Sequence, residues 1–150
     1  MITFANAQQT VADMVAFQAS TPGSVLAGLK VVKEAIDEDT AKVADPALRN
    51  DGAVLMISIP DGGGSMANRE SNYYYIAVYV ALLINPMSIK SGLNVDPMQM
   101  VDELIDAPGK YAEEVMGGAI VKPGEVPVER IDEAMGFLLF TLQYSLPVLK

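Results

Sequence analysis

The residues that could do chemistry in this chain are few and mostly acidic. Asp102 and Asp106 are four apart, so on a helix their carboxylates would share one face and could hold a cation or act as an acid–base pair. Glu103 lies between them, and Glu113 and Glu114 follow. The same spacing describes an ordinary solvated helix face, because tuning a carboxylate for catalysis requires burial. The run Asp37-Glu38-Asp39 offers oxygens to Ca²⁺ but lacks the glycine and the closing Glu of an EF-hand loop, so a solvated helix end is the plainer reading. Asp61-Gly62-Gly63-Gly64-Ser65 could bring backbone amides close to an anion. It has no Lys-Ser/Thr continuation, no helical pattern follows it, and Asp61 and Glu70 outnumber Arg69. A mobile hairpin tip fits better. Such a tip can order on contact, which makes Asp61 to Ser65 with Arg69 a candidate assembly loop.

Tyr73, Tyr75 and Tyr79 recur at even spacing, which on a strand places them on one face. Tyrosines so placed can stack bases, but residues 71–84 contain no Lys or Arg to hold the phosphates. Two readings stay open for them: a core face covered by helices, or a subunit interface, where tyrosine is enriched. The nine methionines read as adaptable packing.

Composition narrows the chemistry further. The 150 residues include no His, Cys or Trp, which removes the common zinc sites, Ser-His-Asp triads, thiolate nucleophiles and disulfides. Ten basic residues against nineteen acidic ones, a net charge of −9, argue against a protein built to grip nucleic acid. The expectation is a non-enzyme with no cofactor. No signal peptide or lipidation motif is evident, and the longest apolar run, Tyr73 to Ile84, is well short of the ~20 residues of a membrane helix. The default is a soluble, intracellular chain.

The elements that must position these residues follow from periodicity. Ala7, Val11, Met14, Val15 and Gln18 predict a helix over 5–19. A second helix is expected from Ser24, with Val25, Leu29, Val32 and Ile36 on one face, ending at the acidic run. Asp45-Pro46 and Asn50-Asp51-Gly52 read as a polar connection. Residues 53–60 and 71–84 predict a long antiparallel hairpin, with Ile76, Val78, Val80, Leu82 and Ile84 on the core face. Asp96-Pro97 opens a helix that Pro108-Gly109 should break, with a short helix over 110–116 beyond. Residues 117–127 read as loop and 128–135 as a helical turn or irregular approach. Leu138, Phe140, Leu142, Tyr144 and Leu146 alternate as a final strand. The sum is one α+β domain over 1–150, a small antiparallel sheet with a long β-hairpin packed against N-terminal and central helices.

That order resembles the tail terminator, or tail completion, proteins of long-tailed bacteriophages. The resemblance is carried by N-terminal helices, a strand ending in a Pro-Gly loop (Ala53 to Gly64), a Tyr-rich strand (Tyr73 to Ile84), a Pro-initiated helix (Pro97 to Ile105) and a closing strand (Phe137 to Leu146). It implies a structural virion protein that forms a homohexameric ring, caps the tail tube and joins it to the head. Its partners would be further copies of itself, the tail tube protein and a neck or head-completion protein. DNA would pass only as cargo, no membrane would be involved, and the protein would reside in the tail or neck after assembly in the host cytoplasm. The acidic balance suits a lumen that DNA must slide past without sticking. Two other readings compete: another head–tail adaptor or minor virion component, and a small anion-binding module or acid-dependent enzyme using Asp102 and Asp106 or Gly62 to Ser65.

Overall fold

The computed structural model describes residues 2–61, 73–87, 96–114, 122–123, 129–134 and 137–149. Its elements run α1 (Ala7–Ala19), β1 (Lys30–Lys33), α2 (Thr40–Asp51), β2 (Ala53–Ile57), β3 (Tyr73–Ile84), α3 (Pro97–Glu114), β4 (Lys122–Pro123), β5 (Glu129–Ala134) and β6 (Phe137–Leu149). The fold is α+β. One open sheet holds the strands in the order β1-β2-β3-β6, and β4 and β5 both lie along the far edge of β6. β2 and β3 form the expected antiparallel hairpin, in register from Ala53 opposite Ile84 to Ile57 opposite Val80. β3 and β6 then pair over their common length, from Tyr73 opposite Leu149 to Ile84 opposite Leu138. The sheet is antiparallel throughout except at β1, which runs parallel to β2.

Alternation explains why β3 and β6 are central. Ile76, Val78, Val80, Leu82 and Ile84 are buried, as are Phe140, Leu142, Tyr144, Leu146 and Val148 across from them. α1 and α3 cover this face. Ala7, Val11, Met14 and Val15 of α1 join Met100, Val101, Leu104 and Ala107 of α3 in the main core. Phe17 and Tyr111 link the two helices, ring centroids 5.8 Å apart at 58°. α1 also anchors the sheet's edge: the Gln8 side-chain amide donates to the carbonyls of Glu34 and Ile57, and Lys33 donates to Gln9 Oε1. α2 sits on the opposite face, where Ala44 and Leu48 bury against Val32 and Val54 in a second, smaller core.

Four segments depart from the sequence expectations. Residues 24–36 do not form a helix: Gly23 and Gly28, with φ of +81° and +78°, bracket turns, and Lys30–Lys33 join the sheet as β1. Pairing with β2 decides this strand, and a helical spacing of four apolar residues cannot report it. The supposed polar connection becomes α2, and the acidic run is the turn that leads into it. Asp39 is its N-cap, with Oδ1 accepting from Lys42 N–H, and Gly52 closes it in the left-handed conformation at φ +82°. The Asp39 carboxylate therefore sits at a helix N-terminus, where the dipole favours it. Residues 122–123 and 129–134 are edge strands rather than loop or helical turn.

The fourth departure is α3, which opens as expected with Asp96 Oδ1 accepting from Gln99 N–H but continues through Pro108 and Gly109 to Glu114. Pro108 has no N–H, so the Leu104 carbonyl loses its helical donor. The Tyr144 hydroxyl replaces it, donating to Leu104 O at 2.7 Å from the neighbouring strand β6. The helix survives because the sheet beneath it supplies the missing bond.

Candidate functional site

The second face of β3 and β6 holds the residues that sequence reasoning singled out. With α1 and α3 on the other side, this face carries Tyr75 opposite Pro147, Ala77 opposite Ser145, Tyr79 opposite Gln143, and Ala81 opposite Thr141. Tyr75 and Tyr79 are half-buried, as are Gln143, Ser145 and Thr141, while Ala77 between the tyrosines is fully buried. α2 reaches only one end of this face, where Leu83 and Phe137 pack against its core. Among the described side chains, the eight register partners named here include no charged group. Tyr73 continues the strand, its backbone opposite Leu149.

The face runs into a shallow groove of about 370 Å³ between the start of α2 and the hairpin. Glu34, Thr40 and Ala41 line it together with Met56, Ser58, Tyr79 and Ala81 of the hairpin. The polar groups there are largely committed. Ser58 Oγ accepts from Tyr79 N–H at 2.9 Å, and Glu34 Oε2 accepts from Ile59 N–H at 3.3 Å. What the described residues leave open in this groove is mostly apolar surface and the Tyr79 ring.

Asp61 is exposed and ends the described part of the hairpin, where it exchanges two 2.8 Å backbone hydrogen bonds with Ala77. The pairing of residues 53–57 with 80–84 is thereby extended to the brink of the Gly-rich loop. Gly62, Gly63, Gly64, Ser65 and Arg69 of the candidate assembly loop lie outside the described residues.

The acidic candidates are dispersed. Asp102 and Asp106 are both exposed on α3, and among the described residues no three acidic side chains gather as a metal site would require. Glu103 between them has a structural role that spacing could not reveal. Its carboxylate accepts from Ser24 Oγ at 2.6 Å and from Val25 N–H at 3.0 Å, fastening the turn after α1 to α3. Asp39 is committed as the α2 cap. The residues that the sequence reading missed are the two lysines of β1, exposed on the sheet's edge; their signal, Lys-Val-Val-Lys between turns, was hidden inside an apparent helical period.

Among the described residues, no helix is long and apolar enough to cross a membrane. In comparisons with known proteins, no family model and no curated protein matches the chain.

Proposed function

We propose that this chain is a structural assembly subunit, a ring-forming tail terminator that caps a tail tube and joins it to the head, rather than an enzyme. The observation that carries the reading is the tyrosine face of β3 and β6. It is half-buried at Tyr75 and Tyr79, uncharged at the eight β3–β6 positions named above, and reached by α2 at one end only. Aromatic surface of this kind at the centre of a patch is what desolvated subunit contacts use. The occupant is another protein subunit of the particle. A nucleic-acid partner would need cations among the tyrosines, and the eight β3–β6 positions named above include none. The exposed carboxylates of α3 suit a surface that repels passing DNA.

Locating the chain in purified particles tests this reading. An antibody or gold label should mark one position at the junction of tail and head, and Tyr75→Ser/Tyr79→Ser should fold but fail to be incorporated. Absence of the chain from purified virions would end the proposal, and so would full incorporation of the double variant for the tyrosine face.

A further inference from the structure

At one end of the sheet, β1 pairs with β2 and with no other described strand. The ladder fixes which of its backbone groups are engaged. Glu34 N–H donates to Ile57 O at 2.8 Å, just past the pair Lys33–Ile57, so the groups of Lys30 and Val32 also face β2. Those of Val31 and Lys33 face away, and among the described residues nothing donates to them or accepts from them. The side chains alternate as well. Val32 is buried against α2, so Lys30 and Glu34 flank it on that face. Val31 and Lys33 lie on the α1 face, where Lys33 Nζ donates to Gln9 Oε1. Lys30 and Glu34 are both exposed. Among the described residues Lys30 meets no carboxylate, and Ile59 N–H occupies one oxygen of Glu34. Apolar surface borders the edge: Val31 is exposed, and Ile36 just beyond the strand is 94% exposed.

We infer that β1 pairs antiparallel with β1 of a second copy of this chain, about a two-fold axis at Val32. An open strand edge is either blunted or paired, and lysines blunt it against itself only where they meet each other. Here they do not. In this register Lys30 lies opposite the second copy's Glu34, and Glu34 opposite the second copy's Lys30, a pair of unlike charges on either side of the axis. Val32 meets Val32. Val31 lies opposite Lys33, whose aliphatic stem covers it. Each Val31–Lys33 pair exchanges both N–H and C=O bonds, so every open group of the two edges finds a partner. Other registers fail. Sliding by half a pleat turns open groups toward engaged ones. Sliding by one pleat sets Lys33 against Lys33 in one direction and Lys30 against Val32 in the other. The contact is isologous and closes at two chains. It draws nothing from the ring reading and does not use the Tyr75–Tyr79 face.

Disulfide trapping in the full chain tests the register, because the chain has no cysteine of its own. Positions 30 and 34 of opposite copies form a non-hydrogen-bonded pair with Cα atoms ~4.5 Å apart, within reach of a disulfide. The two copies of position 30 stand about 13 Å apart along the strands, out of reach. A mixture of Lys30→Cys and Glu34→Cys chains, treated with oxidised glutathione, should give a non-reduced band at twice the 16.0 kDa of one chain. Either variant alone should give almost none. Charge supplies a second measurement. In sedimentation equilibrium, Lys30→Glu sets a carboxylate against Glu34 and should weaken the two-chain association about tenfold. Lys30→Glu/Glu34→Lys should restore it, a gain that misfolding cannot give. No band in the mixture, or an equal band from either variant alone, overturns the pairing. So does an association that Lys30→Glu leaves unchanged, or one that the exchange of charges does not restore. A ring built through other surfaces would survive each of these failures, so the two readings fall separately.

Discussion

Removing the Tyr144 hydroxyl probes the joint between sheet and helix. Tyr144 is 1% exposed, and its hydroxyl donates to Leu104 O, the carbonyl that Pro108 leaves without a helical donor. Tyr144→Phe keeps the ring and deletes the donor, so a buried carbonyl loses its partner at a cost of ~1–3 kcal/mol. For a chain of this size that lowers the melting temperature by roughly 2–4 °C per kcal/mol. A second substitution isolates the cause. Pro108→Ala restores an N–H at position 108, four residues after Leu104, where it can donate to the same carbonyl. In the Pro108→Ala background, Tyr144→Phe should therefore cost clearly less, giving a coupling of about 1 kcal/mol in a double-mutant cycle. Urea unfolding of the four chains, followed by circular dichroism, measures all the terms. If Tyr144→Phe cost the same with and without Pro108, the hydroxyl would not be replacing the proline's missing bond and the reasoning would fail.

Three further outcomes follow from the same contacts. Gln18 is 2% exposed and its Oε1 has no partner among the described residues, so Gln18→Met should be neutral or stabilising by about 1 kcal/mol in urea unfolding; a marked loss would reveal a partner for the amide. Glu103→Ala should cost ~1–3 kcal/mol and speed amide exchange at Val25, because the carboxylate accepts from both Ser24 and Val25. Burial holds the Tyr144 hydroxyl well above an ordinary tyrosine, so the folded chain keeps a proton that the unfolded chain releases. That contribution is fully present below about pH 10 and is lost as the pH rises beyond it. A pH series of melting curves should show a fall above that point that is smaller in Tyr144→Phe.

Legibility in the sequence followed how locally each element is decided. β3 and β6 were readable because alternation from Ile76 to Ile84 and from Leu138 to Leu146 records a face buried along its whole length. α1 was readable for the same reason at helical period, down to the buried Gln18. β1 was not, since four residues become a strand only by pairing with β2, and their apolar spacing also fitted a helix. Proline misled twice, for two physical reasons. Pro46 in α2 is exposed, so solvent can serve the carbonyl it leaves unpaired, whereas Pro108 in α3 is buried and depends on Tyr144, thirty-six residues later in the chain. The even spacing of Tyr75 and Tyr79 placed them on one face correctly, and only the fold could show that α2 stops short of covering them.

The central claim is that this chain works by assembling with copies of itself. Mass photometry or multi-angle light scattering of the full wild-type chain, across a hundredfold range of concentration, tests it most directly. The account predicts a discrete closed oligomer of one size, with six chains the number that the resemblance to tail terminators implies. A single species at 16.0 kDa throughout that range would contradict it.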